Sequence, residues 1–225
     1  MSSKVKRRQS SGDRLPRGRH KLSREDVLAS QRDRIVSAML DCAADKGYSA
    51  TTVTDVVSAA RVNRNAFYAL FEDKEDCFLA ACDESWQDLL RALYAQASEQ
   101  TWIEALRKGM RVYLSWWQHQ PWMAYGYLVE LPVAGRRAQE QRDRTYTDFA
   151  RMFEALAGRA RDEQPELPPL RPLAARILVG GITELVGMEV RAGRLDRLHE
   201  LEHDLFSYVV TTLADERTAE AAHQA

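Results

Sequence analysis

The sequence predicts an all-α protein in which a compact three-helix head hands over, through a long fourth helix, to a larger helical body, about nine helices in all. Three observations carry this. Apolar residues recur at three- and four-residue spacing along most of the 225 residues, the period of a helix with one buried face. Ser, Thr, Asn or Asp repeatedly precedes such a segment, several times with an acidic residue three places on, which is the local signature of a helix start. No run of alternating apolar residues between turn signals is long enough for a strand.

Residues 1–22 have no apolar period and few large apolar side chains, so they read as a disordered basic arm. Ser23 with Asp26 opens a helix in which Val27, Leu28, Ile35, Val36, Met39, Leu40 and Ala43 keep the helical period to Lys46, and Gly47 is placed to end it. Thr52 caps a short helix over 53–60. After a break at Arg61 and Val62, Asn63 caps another over 64–71. Asp73 with Asp76 opens the long helix, which runs to about Ala97. Thr101 with Glu104 starts a helix to about His119, and Pro121 separates it from the next. Pro132 and Gly135 break the chain before a charged helix over about 136–162. QPELPPLRP, 164–172, is a loop, because proline has no N–H to give a helix. Two helices, about 172–192 and 195–215, end the body, with a frayed tail at 217–225. The expected division is a head at 23–76 and a body at 77–216.

Composition narrows the function. No apolar run reaches the roughly 20 residues of a spanning helix, and the start, MSSKVKRRQSSGD, has no apolar signal core. These features point to a cytoplasmic protein without a membrane partner. Cys42, Cys77 and Cys82 are an odd set without CxxC spacing, which fits reduced thiols. The net charge of −1 hides an asymmetry: residues 1–71 hold 14 Lys or Arg against 7 Asp or Glu, and residues 72–225 hold 18 against 26. A basic end on an acidic body fits one end meeting a polyanion, although basic termini are also common on soluble proteins.

The stretch RVNRNAFY, 61–68, then acquires a meaning. Two short helices joined by a tight turn, with a third across them, form a helix-turn-helix, whose second helix enters the major groove by its N-terminal residues. There Arg64 can fork onto guanine O6 and N7, and Asn65 onto adenine N6 and N7. Asn63 first serves as a cap, and Phe67 as a core anchor.

Residues 34–81 resemble the DNA-binding head of the tetracycline-repressor (TetR) family of transcriptional regulators. The landmarks are Gly47, Tyr48, Thr51, Thr52, Val53, Tyr68, Phe71, Lys74 and Glu75, in the family's order and spacing. The resemblance implies a ligand-responsive repressor that binds double-stranded DNA as a homodimer, is released by a small molecule, and needs no cofactor, metal or catalytic residue. It implies DNA contacts from Thr51 and Thr52 at a helix start, from Tyr68 and Lys74 to phosphates, and from the region of Arg61, Asn63, Arg64, Asn65 and Phe67. A regulator without a ligand, acting through a partner protein, is the alternative. Two departures stand out: Arg61 occupies a turn position where the family often has glycine, and Asn63, Asn65 and Ala66 replace its usual small residues. Arg61 is therefore either a tolerated left-handed residue or an extra phosphate contact.

Three further expectations complete the reading. In the arm, Arg17 and Arg19 lie on a chain kept non-helical by Pro16 and Gly18, as in minor-groove arms, or else in a solvated tail. Gly180, Gly181 and Gly187 inside a helix each cost about 1 kcal/mol against alanine. A second subunit packed there, together with Leu201, Leu205 and Val209, would offset that, as would a close contact within the chain. Trp102, Leu106, Met110, Tyr113, Trp117, Trp122 and Tyr125 form an aromatic-rich stretch that is either plain core or the lining for a small apolar or aromatic effector. Finally, HELEH at 199–203 matches the HExxH zinc-hydrolase pattern, but no His or Cys follows within reach to complete a site.

Overall fold

The computed structural model describes residues 23–98 and 101–224, and the arm with Arg17 and Arg19 lies outside them. The described residues form ten α-helices and no strand. They are α1 (Arg24–Lys46), α2 (Val53–Ala60), α3 (Arg64–Tyr68), α4 (Lys74–Tyr94), α5 (Trp102–His119), α6 (Pro121–Tyr125), α7 (Arg136–Glu163), α8 (Ala174–Arg191), α9 (Glu202–Leu213) and α10 (Glu216–Gln224).

The helices begin where their caps stand. Ser23, Thr52 and Thr101 each close a reciprocal capping box with Asp26, Asp55 and Glu104, which satisfies backbone N–H groups that the first turn leaves free. α1 ends at Gly47, whose φ of 82° is open to glycine at little cost. A side chain there would also meet Glu130, whose Oε1 lies 3.2 Å from the place of a Cβ.

One continuous core runs from α1 to α10. In the head, Ile35, Met39, Val56, Phe67 and Phe78 are fully buried. The head meets the body along α4 and just after α6, where Gly126 lies against Phe78. Arg137, at the start of α7, reaches Asp73 at 3.1 Å and Asp76 at 3.4 Å at the start of α4, so a cation of the body is tied to the N-terminal turn of the helix that leaves the head. Gln141 donates to the Leu79 carbonyl at 2.9 Å, a second buried tie between α7 and α4.

The structure changes several expected elements. α3 ends at Tyr68 rather than at 71: Ala69 caps it and the chain turns through Leu70 and Phe71 toward Asp73, the cap of α4. The stretch after Pro121 is a short helix, then a π-helical turn over Gly126–Glu130 and a 3-10 turn over Leu131–Val133. Residues Leu195–Leu201 form a 3-10 segment before α9. The tail does not fray at 217, because the Asp215 carboxylate accepts the Thr218 N–H at 2.7 Å and α10 packs Ala219 and Ala222 into the core.

Candidate nucleic-acid interface and body cavity

At the head, the α2–α3 turn puts Arg61, Asn63, Arg64 and Asn65 on the surface while Phe67 is 0% exposed. Burying that ring contributes about 1.5–3 kcal/mol and pins α3 against α2, so the polar residues at its start are held by a rigid anchor. Asn63 accepts the Ala66 N–H at 2.8 Å and thus is the cap. Tyr68, on the next turn, is 51% exposed. Arg61 sits at φ 55° and ψ 46°, a left-handed conformation. Its N–H bonds the Ser58 carbonyl, and the next N–H, of Val62, closes onto Val57 at 3.0 Å. These bonds end α2 and set the angle of α3. From α1, the Arg34 guanidinium donates to the Ala60 carbonyl at 3.3 Å and satisfies the end of α2.

Other residues expected at DNA sit differently. Phe67 belongs wholly to the core. Thr51 is 1% exposed and donates to the Gly47 carbonyl at 2.8 Å, so its hydroxyl serves the α1–α2 turn. Thr52 is exposed, but the Asp55 carboxylate already accepts its N–H at 2.8 Å and its hydroxyl at 2.6 Å. Lys46 joins the same carboxylate at 2.6 Å. The hydrogen bonds from Lys46 and Thr52 hold the Asp55 carboxyl well below its usual range. Lys74 is turned inward: its ammonium donates to the Tyr48 carbonyl at 2.9 Å and lies 4.1 Å from the centre of the Tyr48 ring. Burial lowers its pKa, opposed by Glu130 nearby. Burial, then Glu75, pushes the Tyr48 phenol up to about 12.

In the body, the expected aromatic lining separates into two groups. Tyr113 and Trp117 face a cavity of about 10 Å³, the space of about one water. Trp102, Leu106 and Met110 are buried but line other parts of the core, Trp122 is half-buried, and Tyr125 is 40% exposed. The cavity is completed by residues that sequence spacing did not single out: Trp86 from α4, Tyr127 from the π-helical turn, Thr145, Tyr146 and Phe149 from α7, and Thr183 from α8. The detectable signal was polar residues on otherwise apolar helix faces, Thr145 among them. Its hydroxyl donates to Gln141 at 3.1 Å. Burial raises the pKa of both Tyr113 and Tyr127 far above that of a free phenol, so both stay protonated donors.

The glycines also separate. Gly187 is buried against the backbone of Leu128, with the Arg191 guanidinium nearer still, so a close contact within the chain accounts for it. Leu205 and Val209 are buried in the chain's own core, at 5% and 0% exposure, and Leu201 is half-buried. Gly180 and Gly181 have nothing within 4 Å of a Cβ. They lie on a face of α8 with Ile177, Leu185 and Met188, exposed by 61%, 46% and 50%. HELEH does not form one turn of α-helix: His199 and Glu200 lie in the 3-10 segment and His203 in α9. Glu200 is engaged by Arg197 at 2.7 Å, and the segment carrying His199 lacks the regular α-helical turn on which the zinc pattern sets its two imidazoles.

Residues 35–81 match the family model of bacterial regulatory proteins, tetR family. The uncharacterized HTH-type transcriptional regulator YerO of Bacillus subtilis (strain 168) is 34% identical over 56 residues, 25% of this chain and 19% of that protein, so the match spans about a fifth of the relative's length. Over most of the chain the fold resembles the transcriptional regulator FadR from Bacillus subtilis in complex with stearoyl-CoA. The TM-score is 0.71 at 18% identity, covering 80% of this chain and 98% of that one. It also resembles SmeT, the repressor of the Stenotrophomonas maltophilia multidrug efflux pump SmeDEF, with a TM-score of 0.65 at 18% identity, covering 80% and 88%. At these identities the likenesses establish the fold.

Proposed function

We propose that this chain, whose residues 35–81 match the family model of bacterial regulatory proteins, tetR family, is a regulator of that family that binds double-stranded DNA as a homodimer and regulates transcription in response to a small molecule. The observation that carries the DNA reading is the start of α3, where Arg61, Arg64 and Asn65 are exposed around an anchor, Phe67, that cannot move without opening the core. Arg64 and Asn65 are assigned to bases, and Arg61 and Tyr68 to phosphates. Thr52 and Lys74 act first in the fold, as does Thr51. Residues 23–76 form the reading unit, and residues 77–216, extended by α10, the sensing and dimerising unit. No helix among the described residues is long and apolar enough to cross a membrane, and DNA is the partner that the exposed Arg61, Arg64 and Asn65 fit.

Dimerisation is assigned to the open face of α8, and Tyr208 of α9 is also exposed, by 60%. Close approach there would give Gly180 and Gly181 a purpose and bury Ile177, Leu185 and Met188. A ligand in the body cavity would act through its wall. Tyr127 and Leu128 belong to the π-helical turn, which ends at Glu130, against Gly47 and near Lys74 of the head. A shift of that turn changes the seating of the head, and in a dimer it changes the fit to successive major grooves about 34 Å apart. The tight packing of the cavity favours a second reading, a regulator with no ligand that works through a partner protein. The unpartnered donors in its wall favour the first.

A gel shift on the DNA flanking its own gene tests the reading. Arg64→Ala and Tyr68→Phe should each weaken binding with the fold intact by circular dichroism. If both bind as wild type does, α3 is not the reading helix.

A further inference from the structure

Two donors in the wall of the body cavity have no acceptor, the Trp86 indole N–H and the Tyr127 hydroxyl, and the Trp117 indole N–H has only the Tyr113 hydroxyl, itself a donor, beside it. All three residues are more than nine-tenths buried, at 4%, 1% and 4% exposure. An indole nitrogen can only donate, and a buried donor without an acceptor has lost its water and gained nothing in return. The Thr145 hydroxyl beside the Tyr127 phenol gives its own proton to the Gln141 carbonyl. The rings that carry the donors form three walls: Trp86 stacks on Tyr127 with centroids 5.9 Å apart, Trp117 lies 5.7 Å from Tyr127, and Phe149 meets Trp86 edge-on at 5.4 Å. No Lys, Arg, Asp or Glu lines the cavity.

From this arrangement we infer that the effector is an uncharged molecule with a single flat ring bearing a carbonyl-type oxygen, which accepts hydrogen bonds from Tyr127 and Trp86. The inference rests on the ligand-responsive reading above and names the ligand class for that site. Uncharged walls leave a carboxylate or an ammonium without compensation. A long acyl chain has no acceptor along its length to offer the two donors. Aromatic walls suit a ring, which gains stacking as well as burial. The cavity is closed to anything larger than a water, so the ligand enters as the π-helical turn yields. Such a turn carries one residue more than an α-helical one and can tighten, carrying Tyr127 and Leu128 aside.

Calorimetric titration of the full chain with acetophenone, with α-methylstyrene, which has the same shape with =CH2 in place of =O, and with stearoyl-CoA tests this. Acetophenone should bind at least about tenfold more tightly than α-methylstyrene. Tyr127→Phe, which deletes an unpartnered hydroxyl and keeps the ring, should narrow that gap several-fold while leaving α-methylstyrene affinity unchanged. Equal affinities, no binding of either ring compound, or binding of stearoyl-CoA alone overturns the inference. Retention of DNA in a parallel gel shift separates the two readings. Release by stearoyl-CoA but not by acetophenone overturns the ligand class and keeps the ligand-responsive regulator. Selective acetophenone binding that leaves DNA retention unchanged keeps the ligand class and overturns the regulator's response.

Discussion

Replacing Arg61 separates the two duties that this residue combines, a left-handed backbone and an exposed cation. At φ 55° and ψ 46°, an L-residue carries about 1–2 kcal/mol of strain. Glycine relieves it, but its freer unfolded chain gives back about 0.4–1 kcal/mol. Arg61→Gly should therefore stabilise the protein by about 0.5–1 kcal/mol, or raise its melting temperature by about 1–4 °C at this size. Arg61→Ala keeps the strain and loses the charge, so its stability should stay within about 0.5 kcal/mol of wild type. On DNA the two variants should behave alike. If each subunit's Arg61 neutralises one phosphate, the slope of log K against log salt should fall by about 0.9 per subunit in both. Urea unfolding and salt-dependent fluorescence anisotropy read the two effects. A glycine variant less stable than wild type would refute the strain argument, and unchanged salt slopes in both variants would refute the phosphate contact.

Ile177→Glu or Gly181→Arg on the open face of α8 should convert the protein from twice the monomer mass to the monomer mass in light scattering, with helicity kept. A persistent dimer would place the interface elsewhere. Asp55, whose carboxyl is held below its ordinary value of 3.8 by Lys46 and Thr52, stabilises α2 at any pH above that value, and the contribution is lost as pH falls below it. In Asp55→Asn the acid limb of the stability–pH curve should accordingly be shallower than in wild type, and parallel curves from urea midpoints would rule the interaction out. Asn63→Ala should cost about 1 kcal/mol from the lost cap, and a neutral result in thermal melts would show that the hydrogen bond to Ala66 contributes nothing.

What the sequence made legible was local. Ser23, Thr52, Asn63 and Thr101 cap because a short polar side chain and a backbone N–H two or three residues on are neighbours in any fold, and the structure shows each of those bonds. The left-handed Arg61 was legible as a question, since the turn demands positive φ whatever occupies it. The cavity was not legible, because it is assembled from five segments between Trp86 and Thr183, and helical periodicity says which face is inside without saying what it meets. The same limit hid the different fates of Gly187 and Gly181, which are about 120° apart around α8, the first against Leu128 and the second with nothing near it. Leu205 and Val209 fit a buried stripe equally well whether a second subunit or their own chain covers them, and their own chain does. Lys74 shows the limit for charges: its place at a helix start is readable, whereas its turn inward onto Tyr48 depends on a contact across 26 residues.

The most direct test is selection of duplexes from a randomised library by wild type and by Arg64→Ala. The wild type should enrich a palindrome whose half-sites are about 10 base pairs apart, centre to centre, or a multiple of that. Arg64→Ala should lose the preference for one guanine in each half-site, at a cost of about 1–3 kcal/mol per contact, while the neighbouring positions stay selected. If no palindrome is enriched, or if Arg64→Ala selects the same motif with the same affinity, the head does not read DNA through the start of α3.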